Sequence, residues 1–169
     1  ICIQLGSANG ETTYKNWNVQ SWAELTAKIT SGDDPPMVAL LGDRSESELA
    51  TIVKGDNPRV ISLAGKTTTR EAMALLRKCT LFMGADSGLM HLAAALDTPT
   101  LTFWGPSDRT LYGWEQIDPT KHSVITRNLD CGPCNSWLNP NTTRVKDPGN
   151  CPDHQCMKDI TVGQAFEAF

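Results

Sequence analysis

The chain has 169 residues, which is enough for one hydrophobic core and short for two, so a single domain is the expectation. Its 40% hydrophobic residues, 20% charged residues and net charge of −4 are typical of a soluble globular protein and disfavour a nucleic-acid-binding surface. Apolar runs such as residues 92–96 are far shorter than the roughly 20 residues of a membrane-spanning helix, and no signal peptide is recognisable. The opening ICIQLG lacks an initiator Met and begins directly as a strand, so we expect a piece of a longer protein.

Short apolar runs alternate with helix-period segments over the first 104 residues, which is typical of an α/β fold with a parallel sheet. The predicted strands cover residues 1–5, 37–41, 60–63, 81–83 and 100–104. The predicted helices cover residues 21–30, 46–53, 69–78 and a stretch that begins at Asp86 or Ser87. Ser21 and Glu24 have the spacing of a capping box for the first helix.

The pattern changes beyond residue 104. Residues 105–121 are rich in Gly, Pro and polar groups, and residues 124–126 are a candidate sixth strand. Residues 131–156 form a loop rich in Cys, Pro and Asn, without periodicity, and residues 161–169 predict a final short helix.

Small and polar residues follow the predicted strands, where a parallel sheet binds its ligands. These residues are Gly6 and Ser7, 42–46, 64–67, 84–88 and 105–107. The composition suits a shallow cleft for a phosphate-bearing ligand, although loops in any such fold are rich in glycine.

The sequence DSGLMH after the fourth strand is the strongest candidate for such a site. If a helix begins at Asp86 or Ser87, the N–H groups of Ser87, Gly88 and Leu89 point outward from its positive end. Gly88 leaves room there for a ligand to approach. An ordinary helix cap by Asp86 or Ser87 explains the same residues. His91 follows Ser87 by one helical turn and projects near the same opening.

Lys15 ends the first loop, from where its ammonium group can reach a phosphate, and an ordinary exposed lysine is the alternative. The same loop does not match the dinucleotide fingerprint G-x-G-x-x-G, because Gly6 and Gly10 are spaced G-x-x-x-G. The chain also has no Walker A motif.

Two stretches resemble a known family, GSANGETTYKNWNVQSWAELTAKI and LLRKCTLFMGADSGLMHLAAALDTPTLTFWGPSD. They are similar to the C-terminal, nucleotide-sugar-binding half of glycosyltransferase family nine, the ADP-heptose:lipopolysaccharide heptosyltransferases. The Lys-x-Trp, L-G-x-x-x-E, D-S-G-L-M-H and G-P-S-D features occur in the family's order over residues 1–108.

The resemblance implies one half of a GT-B glycosyltransferase, with a Rossmann-like parallel sheet and helices on both faces. Residues 1–127 would then form the nucleotide-sugar-binding domain. The cysteine-rich loop and the C-terminal helix, residues 128–169, would pack on that domain.

The resemblance also implies roles for individual residues. Lys15 would bind the donor diphosphate with Ser7 as a hydroxyl partner, and Glu46 would accept from the ribose hydroxyls. The backbone of Lys66 and Thr67 would lie along the adenine. Phosphate and sugar would meet the residues of the helix start, Asp86, Ser87, Gly88, Leu89 and His91.

The implied activity is an inverting, metal-independent transfer of heptose from ADP-heptose to a lipopolysaccharide-type acceptor. A lysine and a helix N-terminus can stabilise the diphosphate leaving group, and the sequence has no D-x-D pair to hold a divalent cation. In the family the general base belongs to the N-terminal half. We therefore expect no catalytic residue in this chain and no turnover by it alone.

Two other functions fit the residues less well. A sugar-nucleotide 2-epimerase shares the fold, but there D-S-G is typically followed by Gly and paired glutamates, where this chain has Leu-Met-His. A non-catalytic binding module, with the cysteine loop as a docking surface, predicts no nucleotide affinity.

The six cysteines fall into two groups. Cys2 and Cys79 lie in apolar contexts and are interpreted as small core residues. The others have C-x2-C and C-x4-C spacings: Cys131, Cys134, Cys151 and Cys156. A structural zinc site, disulfides and uncoordinated thiols all fit this pattern. We expect a cytoplasmic protein, at most peripheral to the inner membrane face, and that location argues against stable disulfides.

Overall fold

The computed structural model describes residues 1–6, 12–134 and 148–169. Six parallel strands form one sheet: β1 Cys2–Gln4, β2 Val38–Leu41, β3 Val60–Ser62, β4 Phe82–Ala85, β5 Thr100–Trp104 and β6 His122–Thr126. Their order across the sheet is β3-β2-β1-β4-β5-β6, that of a Rossmann fold. Successive strands are added outward on one side of β1, from β2 to β3, and on the other side from β4 to β6. The switch point therefore lies between β1 and β4, where such sheets bind ligands.

Helices cover both faces of the sheet, as expected. They are α1 Val19–Ile29, α2 Ser47–Lys54, α3 Thr69–Leu76, α4 Gly88–Ala95, α5 Arg109–Tyr112, α6 Gln155–Lys158 and α7 Val162–Glu167. One core contains buried residues of α1, α2 and α7 with Ile3 of β1, and the other contains residues of α3 and α4 with Cys2. Neighbouring residues of β1 thus face opposite cores, as the pleat of a strand requires. None of the described helices is long and apolar enough to cross a bilayer.

The helix caps are only partly those expected from the sequence. Asn18 caps α1 by accepting from the amides of Gln20 and Ser21, so the predicted capping box of Ser21 with Glu24 is wrong. The reason is that Asn is a strong N-cap residue and lies three residues upstream, where it satisfies the first amides of a longer helix.

Regular structure also continues beyond residue 104, where loops were expected. The short α5 lies within one expected loop, and α6 begins in the other and ends two residues beyond it. The strand β6 begins two residues before the predicted strand. Helices of four residues show too little periodicity to be predicted. The first residue of β6, His122, is buried and polar, which hides the start of the strand in the sequence.

The C-terminal segment packs against the sheet domain through buried apolar residues. Met157, Ile160 and Ala165 belong to the core that contains α1. The indole N–H of Trp17 donates to the carbonyl of Ile160 at 2.9 Å. The boundary between residues 127 and 128 stays a prediction.

Cys2 and Cys79 are not the separate core thiols that the sequence predicts, because a disulfide joins them. Their apolar surroundings were predicted correctly, since both belong to the core formed with α3 and α4. The pairing arises because the chain after α3 returns to the edge of β1, which places Cα atoms 77 residues apart in sequence at 6.1 Å.

Candidate functional site

Two loops meet where the carboxyl ends of β1 and β4 lie side by side. Lys15 ends a single-turn 3₁₀ helix, Thr13–Lys15, in the loop after β1, and Asp86 follows β4. Lys15 Nζ donates to Asp86 Oδ2 at 2.7 Å, and the two side chains are 17% and 11% exposed. Lys15 is therefore a mostly buried partner of Asp86 and not an ordinary surface lysine.

Packing of Trp17 fixes the loop that carries Lys15. The Trp17 ring is 3% exposed, and its centroid lies 4.7 Å from that of Phe103 and 5.0 Å from that of Trp22. Because Trp17 follows Lys15 by two residues, this aromatic cluster holds the lysine near the sheet edge. The spacing Lys-x-Trp thus has a physical reason in the fold.

Asp86 is held ionised by its neighbours. Burial raises the pKa of its carboxyl, but hydrogen bonds from His91 and Lys15, with the positive charge of Lys15, bring the pKa well below its usual range. His91 Nε2 lies 3.4 Å from Oδ1. The buried Ser107 hydroxyl lowers the pKa further by proximity, although it has no hydrogen-bond partner of ordinary geometry among the described residues.

Helix α4 begins directly beside this pair. Ser87 is its N-cap, with the hydroxyl oxygen accepting from the Met90 amide at 3.4 Å, and the helix begins at Gly88. The amides of Gly88 and Leu89 have no acceptor within a helix that starts there. Gly88 is exposed, and among the described residues no atom apart from its chain neighbours and its own helix backbone lies within 4 Å of where a Cβ would stand. The helix cap and an open anion-binding end therefore coexist, because Ser87 caps through its side chain.

Gln4 connects the start of α4 to Glu46. Ser87 Oγ donates to Gln4 Oε1 at 2.6 Å, and Gln4 Nε2 donates to Glu46 Oε2 at 3.3 Å. All three side chains are buried. The sequence interpretation missed Gln4, although a polar residue at the end of an apolar strand was an available signal.

The carboxylate of Glu46 ties together the loops after β1 and β2. Besides Gln4, it accepts from the amide of Gly6 at 2.6 Å and from the amide of Asp43 at 3.0 Å. Burial raises its pKa, and these hydrogen bonds oppose the rise. Gly6 and Gly42 lie close to the carboxylate, and there is no room for a side chain at Gly42 because a Cβ there would collide with Oε2. With three N–H donors already bound, a ribose has only the remaining lone-pair directions of Glu46 available.

The loop after β3 lies on the far side of Glu46. Lys66 is exposed, and its Nζ donates to the carbonyl of Ser62 at 2.9 Å, while Thr67 is half-buried. The amide of Gly65 donates to the carbonyl of Gly42, which joins this loop to the loop after β2.

The structure thus brings several of the predicted residues together and leaves others apart. Lys15, Asp86 and His91 are in direct contact, and Ser87 reaches Glu46 through Gln4. Lys66 and Thr67 lie at the neighbouring strand end. The expectation for Ser7 falls outside the described residues.

A second ring, that of Trp114, supports His91. The Trp114 indole N–H donates to His91 Nδ1 at 3.0 Å, so His91 connects Trp114 to Asp86. Trp114 lies in a stretch that the sequence interpretation treated as loop, and nothing in the sequence pointed to it.

The four C-terminal cysteines line one pocket of about 390 Å³ next to the carboxyl ends of β5 and β6. Burial, followed by the proximity of the other three thiols, raises the pKa of the Cys156 thiol to about 11. Within the described ranges no three His, Cys, Asp or Glu side chains form a metal-binding group. No disulfide joins any two of these four cysteines, all of which are described. A structural zinc at this pocket stays a prediction.

Comparison with known proteins identifies the relatives of this fold and site. A model of glycosyltransferase family 9 (heptosyltransferase) matches residues 1–143. Lipooligosaccharide heptosyltransferase 2 of Campylobacter jejuni is 28% identical over 160 residues, covering 90% of this chain and 45% of the relative. Lipopolysaccharide heptosyltransferase 2 of Salmonella typhimurium is 34% identical over 98 residues, covering 55% of this chain and 28% of the relative.

Solved structures give the same result. E. coli ADP-heptose lps heptosyltransferase II superposes with a TM-score of 0.69 at 26% identity, over 98% of this chain and 44% of that chain. An E. coli heptosyltransferase solved with ADP-2-deoxy-2-fluoro heptose superposes with a TM-score of 0.57 at 26% identity, over 73% of this chain and 36% of that one. The present chain therefore spans less than half the length of these relatives.

Proposed function

Since the chain belongs to glycosyltransferase family 9, the heptosyltransferases, we propose that it is the donor-binding half of an enzyme that transfers heptose from ADP-heptose to a lipopolysaccharide core acceptor. The observation that carries this proposal is the Lys15–Asp86 pair beside the open N-terminus of α4. The related structures solved with ADP and with an ADP-heptose analogue support a nucleotide sugar as the ligand.

The diphosphate binds between Lys15 and the start of α4. The Lys15 ammonium group has three N–H donors, of which one is used by Asp86 and the others can turn to phosphate oxygens. The amides of Gly88 and Leu89 add N–H donors for the diphosphate at the positive end of the helix. The amide of Ser87 is a further N–H donor at the same place. Asp86 repels phosphate, so its place is toward the sugar hydroxyls, where it also holds Lys15 and His91 in position.

The nucleoside lies along the loops after β2 and β3. The Glu46 carboxylate accepts hydrogen bonds from the ribose hydroxyls with the lone pairs that the three bound N–H groups do not use. The Lys66–Thr67 backbone lies along the adenine. This arrangement follows the sheet edge outward from β1 to β3, as expected for a nucleotide bound at a topological switch point.

The reaction is a single displacement with inversion. The acceptor hydroxyl attacks the anomeric carbon of heptose, a C–O bond forms to the acceptor, the C–O bond to the diphosphate breaks, and ADP leaves. Negative charge grows on the leaving diphosphate, where Lys15 and the α4 amides stabilise it without a metal ion. The base that takes the acceptor proton, and the acceptor site, lie outside these 169 residues, so this chain by itself binds the donor without transferring sugar. The cytoplasmic location, at or near the inner membrane face, is part of the same proposal.

Calorimetric titration with ADP, UDP and ADP-heptose tests the proposal. We expect ADP and ADP-heptose to bind, with affinity unchanged by a metal chelator, and Lys15→Ala to weaken ADP at least about tenfold through loss of a charged hydrogen bond. Lys28→Ala is the matched control, since Lys28 is half exposed and far along α1. Binding of UDP alone contradicts the heptose assignment, and no affinity for any nucleotide favours the non-catalytic module.

A further inference from the structure

His91 has both of its ring nitrogens engaged, each by a residue from a different part of the fold. Trp114 Nε1 donates to Nδ1 at 3.0 Å, and Nε2 lies 3.4 Å from the Asp86 carboxylate. Trp114 comes from the loop after α5 and is 23 residues from His91 in sequence. Asp86 precedes α4, the helix on which His91 lies.

The two contacts determine which ring nitrogen carries the proton. An indole N–H is a donor only, so the His91 Nδ1 facing it must present a lone pair. The proton of the neutral ring is then on Nε2, where it points to Asp86, an acceptor that its neighbours hold ionised. Asp86 favours a proton on Nε2, and the Trp114 indole N–H keeps Nδ1 unprotonated, so each contact determines the state of one ring nitrogen.

Trp114 also packs near a second histidine, His122. Its ring centroid lies 6.2 Å from that of His122 and 6.3 Å from that of His91, so the indole is placed between the two imidazoles. His122 is buried at the start of β6, and its Nδ1 lies 3.1 Å from Thr100 Oγ1 on the neighbouring strand. The indole thus packs next to a buried residue of the sheet.

We propose that Trp114 is a positioning residue of the donor site, which fixes His91 in the tautomer whose Nε2–H faces Asp86 and the bound nucleotide sugar. This inference rests on the proposed function. In the ligand-free site the Nε2–H group faces Asp86 at the long distance of 3.4 Å, and it can turn to a phosphate or sugar oxygen next to Lys15 when the donor binds. Trp114 acts through His91, to which its indole N–H donates.

The tautomer is tested first, in the 169-residue chain without ligand. Nitrogen-15 chemical shifts distinguish a protonated from an unprotonated imidazole nitrogen, and His91→Gln identifies its signals. We expect Nδ1 to be unprotonated in the unmodified chain and a measurable fraction of rings to carry a proton on Nδ1 in Trp114→Phe, which keeps the aromatic packing and removes the indole N–H. Tyr112→Phe, in the same apolar cluster, is the control and leaves the His91 signals unchanged. If Nδ1 stays unprotonated in Trp114→Phe, the inference is overturned, whatever happens to nucleotide binding.

A double-mutant cycle on ADP affinity tests the role in the donor site. We expect Trp114→Phe and His91→Ala each to weaken ADP by about three- to tenfold, as for loss of one hydrogen bond, and the double variant to be no weaker than His91→Ala. Additive losses overturn the positioning role, because Trp114 would then act independently of His91. Absence of ADP binding in the unmodified chain contradicts the proposed function itself. The measurement on His91 is made without ligand, so its outcome is independent of that result.

Discussion

The ammonium group of Lys15 lies 2.7 Å from the carboxylate of Asp86, although 71 residues separate them along the chain. The contact exists because β1 and β4 are neighbours in the sheet, which brings the loops that follow them to one edge. The ammonium group of Lys15 is thereby placed beside the N-terminus of α4, where Asp86 uses one of its three N–H donors.

Replacing Asp86 tests how much this buried pair stabilises the fold. Asp86→Asn leaves the mostly buried Lys15 ammonium without its partner, so we expect the free energy of unfolding near neutral pH to fall by roughly 1–3 kcal/mol, measured by urea denaturation. Because folding lowers the Asp86 pKa, its contribution is present above the unfolded value of about 3.9 and is lost as the pH falls further. The difference between the two proteins should therefore shrink on acidification below about pH 4.

Asp97→Asn is the matched control for that experiment. Asp97 also pairs with a lysine, Lys121, but its side chain is 77% exposed, so its removal should change stability by less than about 1 kcal/mol. Equal effects of the two substitutions would contradict the assignment of Asp86 as the structural partner of Lys15.

Glu46 should show the opposite dependence on pH. Burial raises its pKa in the folded state, so its contribution to stability is fully present below the unfolded value of about 4.3 and declines as the pH rises through the folded value. Glu46→Gln removes this titration, and its amide NH₂ must oppose one of the three N–H donors, at a cost of roughly 1–3 kcal/mol. We expect the stability advantage of the unmodified chain to narrow from acidic to neutral pH in denaturation curves.

The exposed Glu48 of α2 supplies the comparison, since Glu48→Gln should leave both the stability and its pH dependence almost unchanged. If instead the stability difference between the unmodified chain and Glu46→Gln increased with pH, the hydrogen bonds that lower the Glu46 pKa would outweigh the burial that raises it.

Substitution of two glycines should distinguish effects on ligand binding from effects on stability. Gly88→Ala adds a methyl group in open space at the first position of α4, so stability should hold or rise by about 0.5 kcal/mol. The same methyl stands where a diphosphate would approach the helix, so ADP affinity in calorimetry should fall. Gly42→Ala, at a φ of +147° and against Glu46, should instead cost roughly 2 kcal/mol or more in thermal unfolding. Unchanged ADP affinity in Gly88→Ala would speak against the anion site.

The pocket cysteines should differ in their reactivity. The Cys156 pKa of about 11 leaves very little thiolate near neutral pH, whereas Cys131 is exposed. Timed alkylation with iodoacetamide followed by peptide mass mapping should label Cys131 before Cys156. If a zinc ion is bound instead, all four thiols should be protected together until a chelator removes the metal.

The disulfide between Cys2 and Cys79 closes a long loop, with 77 residues of sequence separation. Its reduction should lower the free energy of unfolding by roughly 4 kcal/mol, because the closed loop restricts the unfolded chain. Peptide mapping without reductant should find the two cysteines in one linked peptide. The variant Cys2→Ala should reproduce the stability of the reduced chain, and recovery of both thiols in alkylated form from the native chain would contradict the bond.

Several local features of this protein were available from the sequence because they depend on neighbours along the chain. The alternation of apolar runs with helical segments indicated five strands and their parallel arrangement, and residues 124–126 were a correct candidate for the sixth. The DSG start of α4 predicted its cap and its open amides. The cap of α1 was misjudged because Asn18 and Ser21 are both good cap residues, and only packing of the helix decides between them. The helices α5 and α6 were missed because they are shorter than the helical period can show.

Tertiary structure alone decided which of these residues touch. The sequence by itself determined an α/β chain with a glycine-rich, polar strand edge and a lysine, a glutamate and a DSG helix among its candidates. In the folded chain Lys15 contacts Asp86, and Gln4 links Ser87 to Glu46. Trp114 donates a hydrogen bond to His91. Such pairings come from separate loops at one sheet edge, and their energy depends on burial and on distances that no local pattern encodes.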